Sequence, residues 1–181
     1  LRFAMDTLDS ASFPRSGTRF ISSVQHLEDL EGDDGTSNKY RLALLKGASF
    51  GRTGLSFRVQ GESVQAADND PIEIFALGGF RRLSAFAPNS IPNDQYLLAS
   101  LEFYRRLGAI DQIASLPIFA GASLEFAHTT FDALTPGFEE NYGSIGAYIG
   151  AETVVGPLFL GVGFSDEGRY AFFLNIGRNF F

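Results

Sequence analysis

The stretch "SLPIFAGASLEFAHT", residues 115–129, carries the pattern that decides the fold. Every second position from Ile118 to Phe126 is apolar, whereas the positions between them include Ser123 and Glu125. Successive side chains of a β-strand point to opposite faces, so alternation with a period of two is typical of a strand. The stretch therefore predicts a strand with one apolar face and one polar face.

The same alternation recurs along the chain, and helical spacing is hard to find. The composition agrees, because the chain has 20 glycines and 19 phenylalanines, residue types that favour turns and strands. The nine predicted strands span residues 1–8, 16–28, 38–50, 53–65, 94–107, 116–129, 141–154, 158–165 and 169–181. The sequence thus predicts an all-β protein.

Strand length favours a transmembrane antiparallel β-barrel. Many of the predicted strands have about 10 to 14 residues, whereas strands of soluble proteins usually have about 5 to 6. A tilted strand needs about 9 to 11 residues to cross a bilayer. Aromatic residues also gather near the ends of segments, as the interfacial girdles of such barrels require. A soluble β-sandwich or lipocalin-like barrel also alternates, and it is the competing interpretation.

Composition excludes several classes of protein. The chain has 181 residues and a net charge of −7, which suits one domain over 1–181 and argues against nucleic-acid binding. It has no cysteine, so it can form neither a disulfide framework nor a cysteine metal site. No stretch approaches the roughly 18 consecutive apolar residues of a membrane helix.

The connections between the predicted strands alternate in length. Those near 51–52 and 155–157 are tight, whereas those at 29–37, 66–93 and 130–140 are long. Outer-membrane barrels have short periplasmic turns and long external loops, so we expect a long external loop at 66–93 and a periplasmic C-terminus. Single-chain bacterial barrels have even strand counts. Nine strands therefore imply further strands before Leu1, unless the first segment is not a strand.

Two stretches resemble the outer-membrane surface-antigen superfamily, which includes the barrel assembly factors and the two-partner secretion pores. "FAMDTLDSASFPRSG", from Phe3 to Gly17, resembles its strand-turn pattern L-D-x-x-x-F-P-x-x-G. "LGGFRRLSAF", from Leu77 to Phe86, resembles the motif of its long sixth external loop. The loop residues that carry this resemblance are Gly78, Gly79, Arg81, Arg82, Leu83, Ser84 and Phe86.

The resemblance implies that the chain is the last nine strands of a sixteen-stranded barrel. The terminal "LNIGRNFF" is similar to the last strand of the family, and Phe180 and Phe181 would be the aromatic signal that the barrel assembly machinery recognises. Ser84 stands where the family has an arginine, and Glu125 falls at the place of the acidic residue that holds that arginine. This departure brings the chain closer to the barrels attached to patatin-like phospholipases, the type Vd autotransporters.

The loop "LGGFRRLSAF" combines charge with large apolar groups, which is unusual for a solvent loop. Phe80, Leu83 and Phe86 would be exposed without packing partners. We therefore expect the loop to fold into the lumen, because buried arginines need carboxylate partners. The expected partners of Arg81 and Arg82 are Glu125, Glu102, Glu152 and Glu62. The alternative is that both arginines are solvated loop charges.

The other candidate residues do not predict a catalytic or metal-binding site. Glu102 and Glu125 form a conceivable acid pair, but polar mid-strand residues are common on the lumen face of porin-like barrels. Ser123, His128 and Asp132 do not form a convincing Ser-His-Asp triad, because His128 falls on the apolar parity and near a strand end. We expect no cofactor, no metal and no enzymatic activity in this chain, and the resemblance places any patatin-like lipase upstream of Leu1. Lys46 falls on the apolar face, which is unusual for a charged residue. Its side chain could extend to the membrane interface, a bulge near Gly47 could change the register, or this face could contact another protein.

The expected function is therefore an outer-membrane β-barrel that anchors or exports an attached patatin-like lipase domain, in the bacterial outer membrane. Its expected partners are the lipid bilayer, the barrel assembly machinery and the upstream domain, with a homo-oligomer as a further possibility. The alternatives are a translocase or insertase of the same superfamily and a soluble lipid-binding β-barrel.

Overall fold

The protein is all-β, as its alternation predicts. A computed structural model describes residues 1–28, 36–66, 74–110, 116–131, 137–154 and 156–177, and these contain eleven strands and no helix. The strands are β1 (Arg2–Asp6), β2 (Thr18–Glu28), β3 (Thr36–Phe50), β4 (Thr53–Ala66), β5 (Phe75–Leu77), β6 (Ile91–Asn93), β7 (Gln95–Ile110), β8 (Leu116–Thr130), β9 (Glu139–Thr153), β10 (Gly156–Ser165) and β11 (Tyr170–Ile176).

Nine of these strands form one antiparallel sheet in the order β1-β2-β3-β4-β7-β8-β9-β10-β11. They correspond to the nine predicted segments. The suggestion that the first segment is not a strand was wrong, because β1 pairs with β2 at five positions from Arg2↔Ser23 to Asp6↔Arg19. The predicted last strand, 169–181, was too long at its start by one residue. Its end at Phe180 and Phe181 lies outside the described residues.

One short hairpin was missed by the sequence reasoning. β5 and β6 form a separate two-stranded sheet inside the connection that was expected to be a loop from 66 to 93. Three-residue strands are too short to show alternation. This hairpin leads into and out of the segment between Leu77 and Ile91.

The outer face of the large sheet carries continuous rows of apolar side chains. In one row, Phe57 of β4 is opposite Leu101, which is opposite Leu124 and then Ile145. Ile145 is in turn opposite Phe164 of β10. Leu124, Ile145 and Phe164 are 52%, 56% and 52% exposed, so half of each large side chain has no protein cover. The apolar parity predicted from the sequence is therefore the outer face.

Lys46 lies on this same face. It is exposed and is opposite Thr18 of β2 and Phe57 of β4. The pairing of β3 with β4 continues through Gly47 without a register shift, so a bulge at that glycine does not explain the lysine.

Connections leave the sheet at two opposite ends. We call the end with the connections at 7–17, 51–52, 111–115 and 154–155 the turn end, and the other end the loop end. The segment after β5, Gly78 to Ser90, starts from the loop end but folds back over the buried face, where Gly78 to Phe86 are mostly covered. The turn after β1 enters the same face from the turn end, since Ser12, Phe13 and Pro14 are buried.

An aromatic cluster forms where these two segments meet. Phe13 from the turn stacks on Phe119 of β8 with ring centres 3.9 Å apart, and it also contacts Phe159 of β10 at 5.3 Å. Phe80 from the folded segment packs against the same Phe159 at 4.7 Å. The hydroxyl of Tyr104 donates a hydrogen bond to the carbonyl oxygen of Pro14. Aromatic burial therefore fixes the turn inside the structure.

We expect Phe13→Ala to destabilise the protein by about 3 kcal/mol, because truncating a buried phenylalanine leaves a cavity among its aromatic neighbours. Phe50→Ala is the matched control, since Phe50 is 78% exposed and its truncation should have little effect. Thermal unfolding followed by circular dichroism measures both. Equal midpoints for the two variants would contradict a structural role for Phe13.

Candidate functional site: the folded loop and its carboxylates

The candidate site is the segment Gly78–Phe86, hereafter the folded loop, with the strand residues beneath it. Its backbone bonds are internal: Gly78 N–H donates to the Arg82 carbonyl at 2.9 Å and Gly79 N–H to that of Phe86 at 3.0 Å. Gly78 has a φ of +113°, and a Cβ there would overlap the carbonyl oxygen of Ala87. Glycine is required at this point because the chain turns back on itself so closely.

Two non-glycine residues of the folded loop also have positive φ. Arg81 has a φ of +63° and Leu83 a φ of +76°. Such conformations are costly for residues with a Cβ and persist only where the surroundings fix them. Leu83 is completely buried among Leu77, Phe86 and Leu98, and Arg81 is held by the contacts described next.

Arg81 forms a buried ion pair with Glu102 of β7. Its Nη2 and Nε donate to Oε1 of Glu102 at 2.6 and 3.0 Å, and the two side chains are only 8% and 5% exposed. The Tyr148 hydroxyl donates to the same oxygen, and Ser56 Oγ donates to Oε2 at 3.3 Å. This carboxylate is therefore well supplied with donors, as a buried charge requires.

The guanidinium of Arg81 also links the two ends of the sheet. Its Nη2 donates to the carbonyl oxygen of Ser12 at 2.9 Å, which belongs to the turn that enters from the opposite end. The same group lies 4.7 Å from the ring centre of Phe159, within range of a cation–π contact. Burial is the largest single influence and lowers the pKa of Arg81, but Glu102 and Tyr148 together raise it by more, so the residue is cationic.

Ser84 of the folded loop lies directly against Glu125 of β8. The Ser84 N–H donates to Oε2 of Glu125 at 2.5 Å and its Oγ donates to Oε1 at 2.7 Å. Ser123 Oγ also donates to Oε1 at 2.7 Å. The expectation that an arginine pairs with Glu125 is thus replaced by a different arrangement: a serine hydroxyl and a backbone amide bind this carboxylate.

The loop backbone at Ser84 and Ala85 packs against small residues of β9 and β10. Ala85 N–H donates to Ser144 Oγ at 2.9 Å. A Cβ on Gly163 of β10 would overlap the backbone of Ser84 and Ala85. The inward-facing glycine therefore makes room for the loop to lie directly on the sheet.

The remaining predicted residues have other partners. Arg82 Nη2 donates to the Ala76 carbonyl at 3.2 Å, inside the small hairpin. Glu62 accepts from Arg41 at 2.9 Å and from the Tyr96 hydroxyl at 2.8 Å. Glu152 accepts from Ser10 Oγ at 3.1 Å. Of the four expected carboxylates, Glu102 and Glu125 thus bind the folded loop.

The apolar loop residues are covered by the sheet. Phe80, Leu83 and Phe86 are 8%, 0% and 5% exposed. Phe86 packs edge-on against Tyr142 of β9 at 5.4 Å, while Phe80 lies on Phe173 of β11 at 4.6 Å. The loop is consequently bound at both of its ends by aromatic contacts and in the middle by its polar bonds.

The residues considered for catalysis do not form a reaction site. Ser123 donates its hydroxyl hydrogen bond to Glu125, and His128 Nδ1 lies 3.0 Å from Asn141 Oδ1 in an exposed pair. Asp132 lies outside the described residues. In the parts of the chain that the structure describes, no group of three or more histidine, cysteine, aspartate or glutamate residues could hold a metal ion.

Sequence reasoning missed the part that the first turn plays in this site. The Ser12 carbonyl and the Phe13 ring are next to Arg81 and Phe80, yet the residue numbers differ by about 70. The signal in the sequence was Phe13 in the "SFP" of the strand-turn pattern, because it is a large apolar residue inside a polar turn. Sequence reasoning also missed Tyr148, whose hydroxyl donates to Glu102.

Comparison with known proteins adds no assignment. No protein-family model matches the chain, and no curated protein matches it. The described residues contain no helix of the length and apolarity needed to cross a membrane.

The Arg81–Glu102 pair gives a double-mutant prediction. We expect Arg81→Met or Glu102→Met alone to destabilise the protein by about 3 to 5 kcal/mol, because each leaves one buried charge without its partner. The double variant should lose less than the sum of the two. Chemical denaturation measures the coupling, and strictly additive losses would show that the two charges do not interact.

Glu125 gives a prediction about the loop itself. We expect Glu125→Ala to increase cleavage of the loop by a broad-specificity protease, because Ser84 then has two buried donors without an acceptor. Glu139→Ala is the control, since Glu139 is exposed on the neighbouring strand β9. The same cleavage rate for wild type and both variants would mean that Glu125 does not hold the loop.

Proposed function

We propose that this chain is part of an outer-membrane β-barrel that anchors or exports an attached N-terminal patatin-like lipase domain. In this proposal the apolar outer face contacts the bilayer and the folded loop fills the interior. The chain itself supplies the membrane wall and the filling loop, and any hydrolysis belongs to another domain.

The apolar outer face is the observation that carries the proposal. Large side chains such as Phe126, Leu160 and Phe172 are 53%, 60% and 78% exposed on strands of the same sheet. Soluble proteins rarely leave extended apolar surfaces uncovered, whereas a lipid-facing wall needs an apolar band. A soluble lipid-binding barrel would place such residues inside, so this face supports the membrane interpretation over that alternative.

The buried face supports the same proposal through its polarity. Ser56, Arg58, Gln60 and Glu62 follow one another at every second position of β4 and are all buried. An apolar outer face combined with a polar inner face is the inverse of a soluble sandwich, in which the covered face is apolar. The folded loop covers these polar groups and satisfies several of them.

Strand length and connection length agree with this arrangement. β7, β8 and β9 have 16, 15 and 15 residues, which exceeds the 9 to 11 or so that a tilted strand needs to cross a bilayer. β3 and β4 are joined by two residues at the turn end. We propose that the turn end is periplasmic and the loop end is external, because outer-membrane barrels have short periplasmic turns and long external loops.

Within the described residues, β1 and β11 are the outermost strands of the sheet. We propose that further strands, giving sixteen in all as the resemblance implies, complete the barrel between them. The contact between Ser84 and Glu125 fits the branch with an attached lipase, because a serine replaces the arginine of the loop motif.

A translocase or insertase of the same superfamily is the second candidate. It is favoured by one observation: the loop is bound to an acidic residue of β8, Glu125, at the place where that superfamily has its acidic partner. The domains that precede Leu1 in the complete polypeptide distinguish the two, since a lipase domain supports the first and periplasmic repeats support the second.

The outer face provides the test of the proposal. We expect the full-length protein to sediment with outer membranes and to migrate differently in gels before and after heating. Leu124→Arg should lower stability in the membrane by about 2 to 4 kcal/mol, as a mid-bilayer arginine does.

Leu97→Arg is the matched control. Leu97 is 53% exposed on the same face, near the loop end of β7, where the same substitution should cost about 0 to 1 kcal/mol because it lies near the interface. Recovery of the wild-type protein in the soluble fraction, with Leu124→Arg tolerated as well as Leu97→Arg, would contradict the membrane proposal.

A further inference from the structure

A group of exposed arginines lies at the turn end of the sheet, beside the connection between β3 and β4. We call these four residues the turn-end patch: Arg15, Arg52, Arg105 and Arg106. They come from three segments of the chain, which are the turn after β1, the turn between β3 and β4, and the last part of β7. The whole chain has a net charge of −7, so this basic surface is a local feature of the fold.

Backbone contacts bring the three segments together. Arg15 Nη2 donates a hydrogen bond to the carbonyl oxygen of Gly51. The Arg106 N–H donates to the carbonyl oxygen of Arg52 at 3.1 Å, and Thr53, the next residue, is opposite Arg105. The four arginines are therefore neighbours, although they are far apart in the sequence.

Carboxylates neutralise little of this patch. Asp9 lies in the same turn as Arg15 and accepts from its backbone amide at 2.8 Å. Arg52, Arg105 and Arg106 have no carboxylate partner among the residues that the structure describes. The ion pairs there use other arginines, namely Arg19, Arg41, Arg81 and Arg169. Like charges on neighbouring strands repel each other, so an anion bound between these arginines would be stabilised.

The turn-end patch borders the apolar outer face. Along β7 the outward positions from Leu97 to Phe103 are apolar, and the next outward position is Arg105. Phe103 is 48% exposed, and Phe50, which is opposite Thr53, is 78% exposed. Guanidinium groups and uncovered aromatic rings thus lie side by side. This combination suits an amphiphilic ligand with an anionic head and an apolar chain.

Lys46 fits the same border. Along β3 the outward residues Leu42 and Leu44 are followed by Lys46 in the direction of the turn end, as Phe103 is followed by Arg105 on β7. Strands of membrane barrels are tilted by about 35 to 45°, so the edge of an apolar band crosses neighbouring strands at different residues. Lys46 therefore extends the basic border from β7 to β3.

We propose that the turn-end patch binds the phosphate group of an anionic phospholipid, with Arg52 and Arg105 as the principal ligands. Phe50 and Phe103 contact the apolar chains of the same lipid. The planar guanidinium group suits phosphate because it donates two parallel hydrogen bonds. The inference rests on the proposed function, since only a membrane-embedded outer face brings these arginines to a lipid. A lipid is favoured over an acidic protein because the arginines lie next to uncovered apolar side chains.

Calorimetric titration of the full-length protein in a neutral detergent tests the site. The two probes are a short-chain phosphatidylglycerol and the phosphatidylcholine with the same chains, at low and constant ionic strength. We expect tighter binding of phosphatidylglycerol. Arg52→Gln and Arg105→Gln should each weaken that binding about fivefold, the effect of one basic residue near an anionic lipid surface. Binding of phosphatidylcholine should not change.

Three controls accompany these variants. Arg169→Gln removes an exposed arginine at the loop end and should leave the affinity for phosphatidylglycerol unchanged. Arg105→Lys retains the charge but not the planar donor pair, and should give an intermediate affinity. Glycerol phosphate carries the phosphate without the chains and should bind much more weakly than phosphatidylglycerol, because the contacts with Phe50 and Phe103 are lost.

Three results would overturn the inference: equal affinity of the wild type for the two lipids, equal weakening by Arg169→Gln and Arg105→Gln, or binding of glycerol phosphate as tight as that of the lipid. The first is the result expected if the patch binds an acidic protein, and the third indicates a free phosphate compound. A wild-type protein that sediments with outer membranes but does not prefer phosphatidylglycerol contradicts this inference alone. Recovery of the wild type in the soluble fraction contradicts the proposed function.

Discussion

Two buried carboxylates on neighbouring strands determine how the interior of this protein is arranged. Glu102 and Glu125 are each 4% exposed, and a carboxylate without partners in such a place is strongly unfavourable. The sheet supplies some donors through Ser56, Ser123 and Tyr148. The folded loop supplies the others through Arg81 and Ser84, so its path over the sheet follows from the need to satisfy these two groups.

The strands and their two faces could be predicted from the sequence, because alternation is a local property. The predicted segment 116–129 differs from β8 by a single residue, and the apolar parity of Leu124 and Phe126 matches the exposed face. The small hairpin was missed since its strands have three residues each. Local patterns thus locate long strands well and short ones poorly.

The individual contacts of the site could not be predicted in the same way. Sequence reasoning expected carboxylate partners for Arg81 and Arg82 but could not choose among four candidates. The choice depends on the register of β7 and β8 and on where the loop turns, which alternation does not specify. The bond from Ser84 to Glu125 was missed because a serine was regarded as the loss of an arginine rather than as a donor in its own right.

The meeting of the loop with the first turn has a consequence for the order of assembly. Ser10 binds Glu152, 142 residues away, and Phe13 packs against Phe159 of β10. The turn therefore cannot reach its final position until nearly the whole chain has been synthesised and β9 and β10 are in place. Arg81 in turn needs Ser12. We infer that the first turn and the folded loop pack against each other last, after the strands around them have paired. Contacts between distant parts of a chain are slow to form.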